Sequence, residues 1–263
     1  FTEPVIALAK DLPGAEFIPE ELEYDLCISE IHDAIVMAIR DYFSKMGFTK
    51  AILGSSGGID SAVTLVLACK ALGNENVRTI LMPSPFSTEH SVSDAEHLSK
   101  NLGNPYDTIP IKNIYESFLN DLKPQFQDLP FGLAEENIQA RIRGNILMAF
   151  SNEFGWFVLT TGNKSETSVG YSTLYGDMAG GLSPIKDVYK TMVYRLCDFI
   201  NKKFNNLIPE NTLLKAPSAE LRPNQKDQDS LPSYDLLDAV IKSYLEDNLD
   251  YEEITAITGF DKK

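Results

Sequence analysis

Residues 51–73 read "AILGSSGGIDSAVTLVLACKALG", and this stretch decides the fold prediction for the chain. The apolar run over residues 51–53 predicts a short buried strand. Residues 61–72 have the composition of a buried helix, and Gly73 is a helix stop. A loop of small residues joins the two. A strand that passes through such a loop directly into a helix is typical of the first unit of a parallel α/β sheet.

Strand and helix patterns alternate along much of the chain. Residues 28–46 carry apolar side chains at helical spacing and predict a helix before the first strand. We predict further strands over residues 77–82, 106–111 and 156–160, and helices over residues 93–102 and 133–154. Ser93 and Glu96 have the spacing of a capping box at the start of one of these helices. The alternation predicts an α/β fold: a doubly wound parallel sheet with helices on both faces.

The composition limits the classes of partner. The chain has 263 residues, of which 43% are hydrophobic, and a formal net charge of −15. A protein that binds the phosphate backbone of nucleic acid needs a cationic surface, so we expect no nucleic-acid partner. No segment has the apolar length of a membrane span, so we expect no membrane partner. Cys27, Cys69 and Cys197 have no metal-ligand spacing and predict small buried side chains in a reducing, cytoplasmic environment.

Two regions are expected along the chain. Residues 1–27 are acidic and punctuated by proline, and they predict a linker or peripheral arm. Residues 28–263 carry the alternating pattern and predict one domain. The sequence begins at Phe1 without an initiator methionine, so we expect it to be part of a longer polypeptide.

The loop after the first predicted strand has the composition of an anion-binding loop. Residues 54–58 leave backbone N–H groups accessible, and the following helix adds the partial positive charge of its N-terminus. The loop has neither the lysine of a Walker A sequence nor the Gly-x-Gly-x-x-Gly spacing. Its one charged residue, Asp60, would repel a phosphate unless a divalent cation lay between them. The sequence therefore predicts Mg²⁺ with a pyrophosphate-sized anion, and a tight turn without a ligand is the alternative.

Residues 56–61, Ser-Gly-Gly-Ile-Asp-Ser, resemble the Ser-Gly-Gly-x-Asp-Ser signature of the N-type ATP pyrophosphatases, whose fold is adenine nucleotide alpha hydrolase-like. Three later stretches narrow the resemblance: ENIQARIRGNILM (136–148), LTTGNKSETSVGYSTLYGDMAGGLSPIKDVYK (159–190) and APSAELRPNQKDQDSLPSYDLLD (216–238). All three resemble the NAD synthetases. The last two are more similar to the glutamine-dependent enzymes than to the ammonia-only ones.

This resemblance implies a ligase that forms a C–N bond. ATP would adenylate the nicotinate carboxylate of deamido-NAD with release of pyrophosphate, and ammonia would displace AMP to give NAD. The ammonia would be derived from glutamine by a nitrilase-like glutaminase domain that precedes this chain in the same polypeptide. A homo-oligomer is expected.

The resemblance also implies an ATP site. Asp60 and Glu166 would bind Mg²⁺, and together with Lys190 they would form the catalytic set. ATP would be bound by Gly54, Ser55, Ser56, Gly57, Gly58, Ile59, Asp60, Ser61, Thr161, Lys190 and Ser218.

The implied deamido-NAD site departs from the ammonia-only pattern. Arg141 and Asp177 would contact deamido-NAD, whereas Arg143 is expected to point elsewhere and pair with a surface acid. Leu174 and Gly181 stand where the ammonia-only enzymes have lysine and aspartate. The sequence also ends without a recognisable version of the basic C-terminal segment that touches the dinucleotide in this family.

Three other functions fit part of the sequence. GMP synthetase shares the loop signature, but the three later stretches do not resemble it. A tRNA-thiolating enzyme would require a reactive cysteine pair and a basic surface. A regulatory nucleotide-binding domain would need the loop without the chemistry, and the presence of Asp60, Glu166 and Lys190 together argues against it.

Overall fold

The computed structural model describes residues 20–127 and 129–259. The strands are β1 (Ala51–Gly54), β2 (Val77–Leu81), β3 (Tyr106–Thr108) and β4 (Phe157–Val158). The helices before β4 are α1 (Glu20–Met46), α2 (Ile59–Leu72), α3 (Glu89–Leu102), α4 (Lys112–Phe126) and α5 (Leu133–Phe154). The helices after β4 are α6 (Lys164–Ser168), α7 (Lys190–Lys203), α8 (Glu210–Leu214), α9 (Tyr234–Leu245) and α10 (Tyr251–Thr258).

The strands form a parallel sheet in the order β3-β2-β1-β4. Ala51 in β1 lies opposite Val77 in β2 and opposite Phe157 in β4. The chain therefore proceeds outward from β1 to β3 and then returns to the other side of β1. Such a reversal of strand order opens a crevice at the carboxyl ends of the two strands beside it, which is where ligands bind in open α/β sheets.

Side chains of β1 alternate between two hydrophobic clusters. Ala51 and Leu53 pack in a cluster with apolar residues of α1, α2 and α7, whereas Ile52 packs in a second cluster with residues of α4 and α5. Leu65 and Leu67 in α2 are fully buried, and burial of a leucine side chain contributes about 2 kcal/mol to stability. Helices thus cover both faces of the sheet, and the predicted doubly wound α/β fold is confirmed.

The start of α3 differs from the prediction. Thr88 is its N-cap, and the Thr88 side chain accepts a hydrogen bond from the Ser91 N–H (3.3 Å). Ser93 lies inside the helix, where its hydroxyl donates to the carbonyl of His90 (3.0 Å). The predicted capping box of Ser93 and Glu96 is therefore wrong. The first turn of α3 is polar, so the apolar spacing reveals only the later turns.

The start of the first helix also differs from the prediction. Residues 1–19 are outside the described residues, and with them most of the predicted linker or arm. Helix α1 begins at Glu20, before the predicted start at Ile28, so the expected division between residues 27 and 28 falls inside a helix. In the described part of the chain, no helix combines the length and apolarity needed to cross a bilayer.

The region after β4 is not covered by the predicted alternation, and it supplies α6 to α10. Helix α7 packs against α1 and α2, and α9 packs against α6 and α7. The packing of α9 uses a separate small cluster of buried residues, Tyr234, Leu237 and Ile241.

Candidate active site

The loop between β1 and α2 is held in shape by its own hydroxyl groups. The Ser61 hydroxyl donates to the carbonyl of Gly58 (2.9 Å), and the Ser56 hydroxyl accepts from the N–H of Gly58 (3.2 Å). Gly58 is the N-cap of α2 and offers no capping side chain. The first turn of α2 therefore presents its N-terminal backbone and the positive end of the helix dipole to a ligand.

A cavity of about 300 Å³ lies at the carboxyl ends of β1, β2 and β4. Its wall contains most of the residues that the sequence assigns to the site. These are Gly54, Ser55, Ser56, Gly58, Ile59, Asp60, Ser61, Thr161, Glu166, Asp177, Lys190 and Ser218.

Lys190 forms the centre of the site with two carboxylates. Its Nζ lies 2.5 Å from Asp60 Oδ2 and 2.9 Å from Glu166 Oε1. Asp60 stands in the first turn of α2, Glu166 in α6 and Lys190 at the first residue of α7. The fold thus brings Asp60 and Glu166 to one edge of the sheet, as their positions after strand ends predict, and adds Lys190 between them.

Burial and charge set the protonation of this centre. Burial, together with the neighbouring Asp60 carboxylate, raises the pKa of Glu166 to about 7. Burial alone would lower the pKa of Lys190, but the two carboxylates outweigh it and raise the pKa above its ordinary value. Lys190 is 2% exposed. It is therefore a fixed positive charge beside Glu166, whose own charge depends on what else is bound.

Asn163 supports the centre, and the sequence analysis did not identify it. Its Nδ2 donates to Asp60 Oδ1 (2.8 Å), and its Oδ1 accepts from the N–H of Glu166 (3.0 Å) as the N-cap of α6. One fully buried side chain thereby orients both acids. A signal was present, because asparagine before a short polar run is a common N-cap, but the second contact depends on the fold.

Of the two arginines of α5, the structure places Arg143 and not Arg141 in the wall of the cavity. Arg141 is exposed, its Nε donates to the carbonyl of Leu174 (3.2 Å), and it does not line the cavity. Arg143 lines the cavity, and its Nε donates to the carbonyl of Met82 (3.0 Å). Burial lowers the pKa of Arg143 to about 10. The expectation that Arg143 pairs with a surface acid is therefore wrong.

The surface of α5 explains why Arg143, and not Arg141, lines the cavity. Ala140, Gly144 and Leu147 share one face of the helix and line the cavity with Arg143. A Cβ atom on Gly144 would lie 2.9 Å from the carbonyl oxygen of Gly176. Small residues thus mark the face of α5 that the next loop approaches closely, and Arg143 lies beside that face.

The loop after α6 fixes Asp177. One oxygen of its carboxylate accepts from the N–H of Thr173 (2.7 Å), and burial raises its pKa. The carboxylate lies on the cavity wall, but part of its hydrogen-bonding capacity holds its own loop. Gly181 packs so closely on Phe157 that an added Cβ would lie 2.3 Å from the ring, which explains glycine at this position. Leu174 is exposed.

A segment over residues 215–221 borders the cavity on the side of α3. The Ser218 hydroxyl accepts from the N–H of Glu220 (3.1 Å). The Glu220 carboxylate in turn accepts from the hydroxyls of Thr88 (3.1 Å) and Ser91 (2.8 Å) at the start of α3, and it pairs with Lys215. Of the cations that line this cavity in the described residues, Lys190 and Lys215 have carboxylate partners, whereas Arg143 forms no ion pair.

The donor set fits a divalent cation that is shared with a ligand. In the described residues no group of three or more acids, histidines or cysteines could hold a metal by itself. Asp60 and Glu166 converge on one point, however, and Mg²⁺ typically uses one or two carboxylates together with substrate phosphates. The fold and the site therefore define an α/β protein with a candidate site for a phosphorylated ligand at the switch point of a parallel sheet.

Comparisons with known proteins specify the family. A family profile described as NAD synthase matches residues 31–263, and the chain belongs to this family. It is 50% identical to the glutamine-dependent NAD(+) synthetase of Synechocystis sp. over all of the chain and 47% of that protein. The chain thus spans about half the length of the curated relatives it matches.

Solved structures agree with this assignment. The glutamine-dependent NAD+ synthetase of Acinetobacter baumannii in complex with adenosine diphosphate superposes with a TM-score of 0.70 at 44% identity, over 89% of this chain and 42% of that one. The NMN synthetase of Francisella tularensis superposes with a TM-score of 0.73 at 28% identity, over 88% of this chain and 93% of that one. The resemblance to NAD synthetases and the adenine nucleotide alpha hydrolase-like fold are confirmed.

Proposed function

We propose that this chain amidates deamido-NAD to NAD at the expense of ATP, as the synthetase part of a glutamine-dependent NAD+ synthetase. The observation that carries the proposal is the contact of Lys190 with both Asp60 and Glu166 beside the glycine loop. Membership of the NAD synthase family and the 50% identity to a glutamine-dependent enzyme support it.

The reaction has two steps. First, a carboxylate oxygen of the nicotinate group bonds to the α-phosphorus of ATP while the bond to the β-phosphate breaks, and pyrophosphate leaves. Second, the nitrogen of ammonia attacks the adenylated carbonyl carbon, AMP leaves with the C–O electron pair, and the nitrogen releases a proton. Both steps move negative charge onto phosphate oxygens, so fixed positive charges at those oxygens accelerate them.

Each part of the site has a role in this scheme. The backbone of residues 54–58 and the N-terminus of α2 bind the ATP phosphates, and Ser61, Thr161 and Ser218 add hydroxyl groups at the wall. Asp60 and Glu166 would hold Mg²⁺, which when bound neutralises the separating phosphates. Lys190 is held beside those acids and adds a positive charge that burial keeps from being screened by water.

The deamido-NAD half of the site is proposed on fewer contacts. Arg141 and Asp177 remain the candidates for the dinucleotide. Asp177 lies in the loop over residues 172–181 and Arg141 contacts this loop from α5, and both side chains hold the loop through its backbone. The nicotinate group must reach the α-phosphate of ATP. This loop would therefore lie beside the point where the two nucleotides meet.

The larger protein is also part of the proposal. We infer that residues 28–263 form the synthetase domain and that a glutaminase domain in the same polypeptide supplies ammonia. The relatives are roughly twice as long as the matched segment, which supports a further domain. A homo-oligomer in the cytoplasm completes the proposal.

The test supplies the chain with ATP, Mg²⁺ and ammonium together with one of three acceptors. We expect AMP and NAD in equal amounts from deamido-NAD, and no AMP from xanthosine monophosphate. Nicotinate mononucleotide is the third acceptor, because the Francisella tularensis neighbour is an NMN synthetase. A higher kcat/KM with either of the other acceptors than with deamido-NAD would contradict the proposed substrate.

A further inference from the structure

Helix α9 contacts three successive residues of α6, and the last of these is Glu166. Lys164 Nζ pairs with Glu246 just beyond the end of α9 (2.8 Å), and the Ser165 hydroxyl donates to Asp238 within α9. The Tyr234 hydroxyl at the first residue of α9 lies 3.3 Å from Glu166 Oε1. The short helix that carries Glu166 is therefore held along its length by α9.

Asp238 also reaches the start of α7. Its second oxygen accepts from the N–H of Thr191 (2.9 Å), and the Ser165 hydroxyl accepts from the N–H of Lys190 (2.8 Å). Tyr189, the N-cap of α7, offers no capping side chain. A buried carboxylate from another helix thus satisfies a backbone donor at the N-terminus of α7.

The same carboxylate therefore joins the neighbours of two site residues. Asp238 binds the residue before Glu166 and the residue after Lys190, and both of those contacts are buried or half-buried. It touches neither Lys190 Nζ nor the Glu166 carboxylate. Its effect on them would act through the backbones of α6 and α7.

Tyr234 supports Glu166 from behind. Its hydroxyl lies 2.8 Å from Asp227 Oδ2, and the side chain is 7% exposed. Asp227 also accepts a hydrogen bond from the Tyr171 hydroxyl (3.2 Å). The single proton of the Tyr234 hydroxyl is thus shared between Asp227 and Glu166 Oε1, the same oxygen that contacts Lys190.

We propose that Asp238 and Tyr234 of α9 are positioning residues that set the spacing of Lys190 and Glu166 for the bound metal and phosphates. This proposal rests on the proposed function for its kinetic readout. The packing of α9 is provided by Leu237, Ile241 and the ring of Tyr234. The Asp238 carboxylate and the Tyr234 hydroxyl are therefore not needed to fill space.

The alternative is that Asp238 and Tyr234 only stabilise the fold. In that case their removal would lower the melting temperature, and the protein that remains folded would bind nucleotide normally. Positioning predicts a different result, because misplacing Lys190 and Glu166 weakens the hold on the phosphates at temperatures where the protein is fully folded.

The experiment compares two variants with matched controls in and near the same helix. Asp238→Asn replaces one of the two accepting oxygens of Asp238, and Tyr234→Phe removes the hydroxyl with its contacts to Glu166 and Asp227. Tyr234→Phe keeps the ring in case Asp238→Asn does not fold. The controls are Asp235→Asn and Tyr244→Phe, which change exposed residues of α9. The readouts are calorimetric affinity for α,β-methylene-ATP with Mg²⁺, the KM for deamido-NAD, and kcat, each well below the melting temperature.

We expect Asp238→Asn and Tyr234→Phe to weaken binding of the ATP analogue and lower kcat by about 10-fold. The KM for deamido-NAD should stay unchanged in these two variants. The two control variants should match the unmodified chain in all three readouts. Analogue binding as tight in the two test variants as in the controls would overturn the inference, whatever the melting temperatures. An unmodified chain that makes no AMP from deamido-NAD would contradict the proposed function instead, and analogue binding would still decide the role of α9.

Discussion

Lys190 is a buried cation whose two partners come from different helices. Removing the lysine would leave two half-buried carboxylates close together without their cation, which destabilises the fold. Removing one acid is less severe, because Lys190 Nζ keeps the other within 2.9 Å. Substitutions of the acids are therefore better probes of chemistry than substitutions of the lysine.

Asp60→Asn tests the metal assignment. The amide keeps the shape of the side chain and Glu166 still neutralises Lys190, so we expect the fold to be retained. Turnover should fall by about 100-fold or more, since one of two charged metal ligands is lost. Steady-state AMP release at several Mg²⁺ concentrations measures this, with the exposed Asp121→Asn as the control. Normal Mg²⁺-dependent activity in Asp60→Asn would refute the assignment.

Substitutions of Arg141 and Arg143 should change the KM of different substrates. We expect Arg141→Ala to raise the KM for deamido-NAD far more than the KM for ATP. Arg143 lines the cavity beside Gly54 and Met82, so Arg143→Gln should raise the KM for ATP by about 10-fold, which corresponds to the loss of one charged hydrogen bond. Initial rates with each substrate varied in turn separate the two. Equal effects of Arg141→Ala on both substrates would mean that Arg141 is structural.

At the scale of elements, the glycine loop is placed by α3 as well as by its own strand and helix. Gly57 has a φ of 80°, and a Cβ atom built on it would lie 2.1 Å from the carbonyl oxygen of Ser91. Gly57 does not line the cavity, although the sequence analysis placed it in the ATP site. Its role in the described structure is close contact between the loop and α3.

Gly57→Ala, compared with a control glycine, should therefore distinguish the cost of a left-handed backbone from the cost of the close contact with Ser91. Gly155 also has a positive φ (67°), but nothing lies within 4 Å of an added Cβ, so Gly155→Ala is a matched control. Both variants should lose about 1–2 kcal/mol from the left-handed backbone. In Gly57→Ala the loop must also move from α3, and kcat/KM for ATP should fall by about 10- to 100-fold. Thermal melts and ATP kinetics on both proteins test this; equal activity in the two would show that the contact with Ser91 is dispensable.

The elements near β1 could be predicted because their signals are local. A short apolar run, a loop of small residues and a helix stop lie within residues 51–73, and the structure has β1 and α2 there. Asp60 and Glu166 could be placed on one edge because both follow strands. Asn163, Arg143 and Asp238 could not be assigned, because each acts through a partner distant in sequence.

At the scale of the whole molecule, the described residues show no cysteine activated for attack on glutamine. Burial raises the pKa of the Cys69 thiol to about 12 and also raises that of Cys197. A thiol with a raised pKa is a poor nucleophile at neutral pH. Cys27 is half-buried in α1, and within the described residues no hydrogen bond joins it to a histidine.

The state of the cysteines predicts which nitrogen source the chain can use. We expect the 263-residue chain to make NAD from ammonium salts and none from glutamine, because hydrolysis of glutamine needs an activated nucleophile. Parallel assays with the two nitrogen donors, and release of glutamate as a second readout, test the expectation. Glutamate production by the chain alone would show that one of its cysteines is reactive.

The long sequence separations within the site have a consequence for protein synthesis. Lys190 and Asp60 are 130 residues apart, and Asn163 and Asp60 are 103 apart. A ribosome therefore releases the glycine loop well before the groups that neutralise and orient its aspartate. Because such distant contacts form late in folding, a nascent chain would display the loop, with Asp60 still unpaired, before it could turn over ATP.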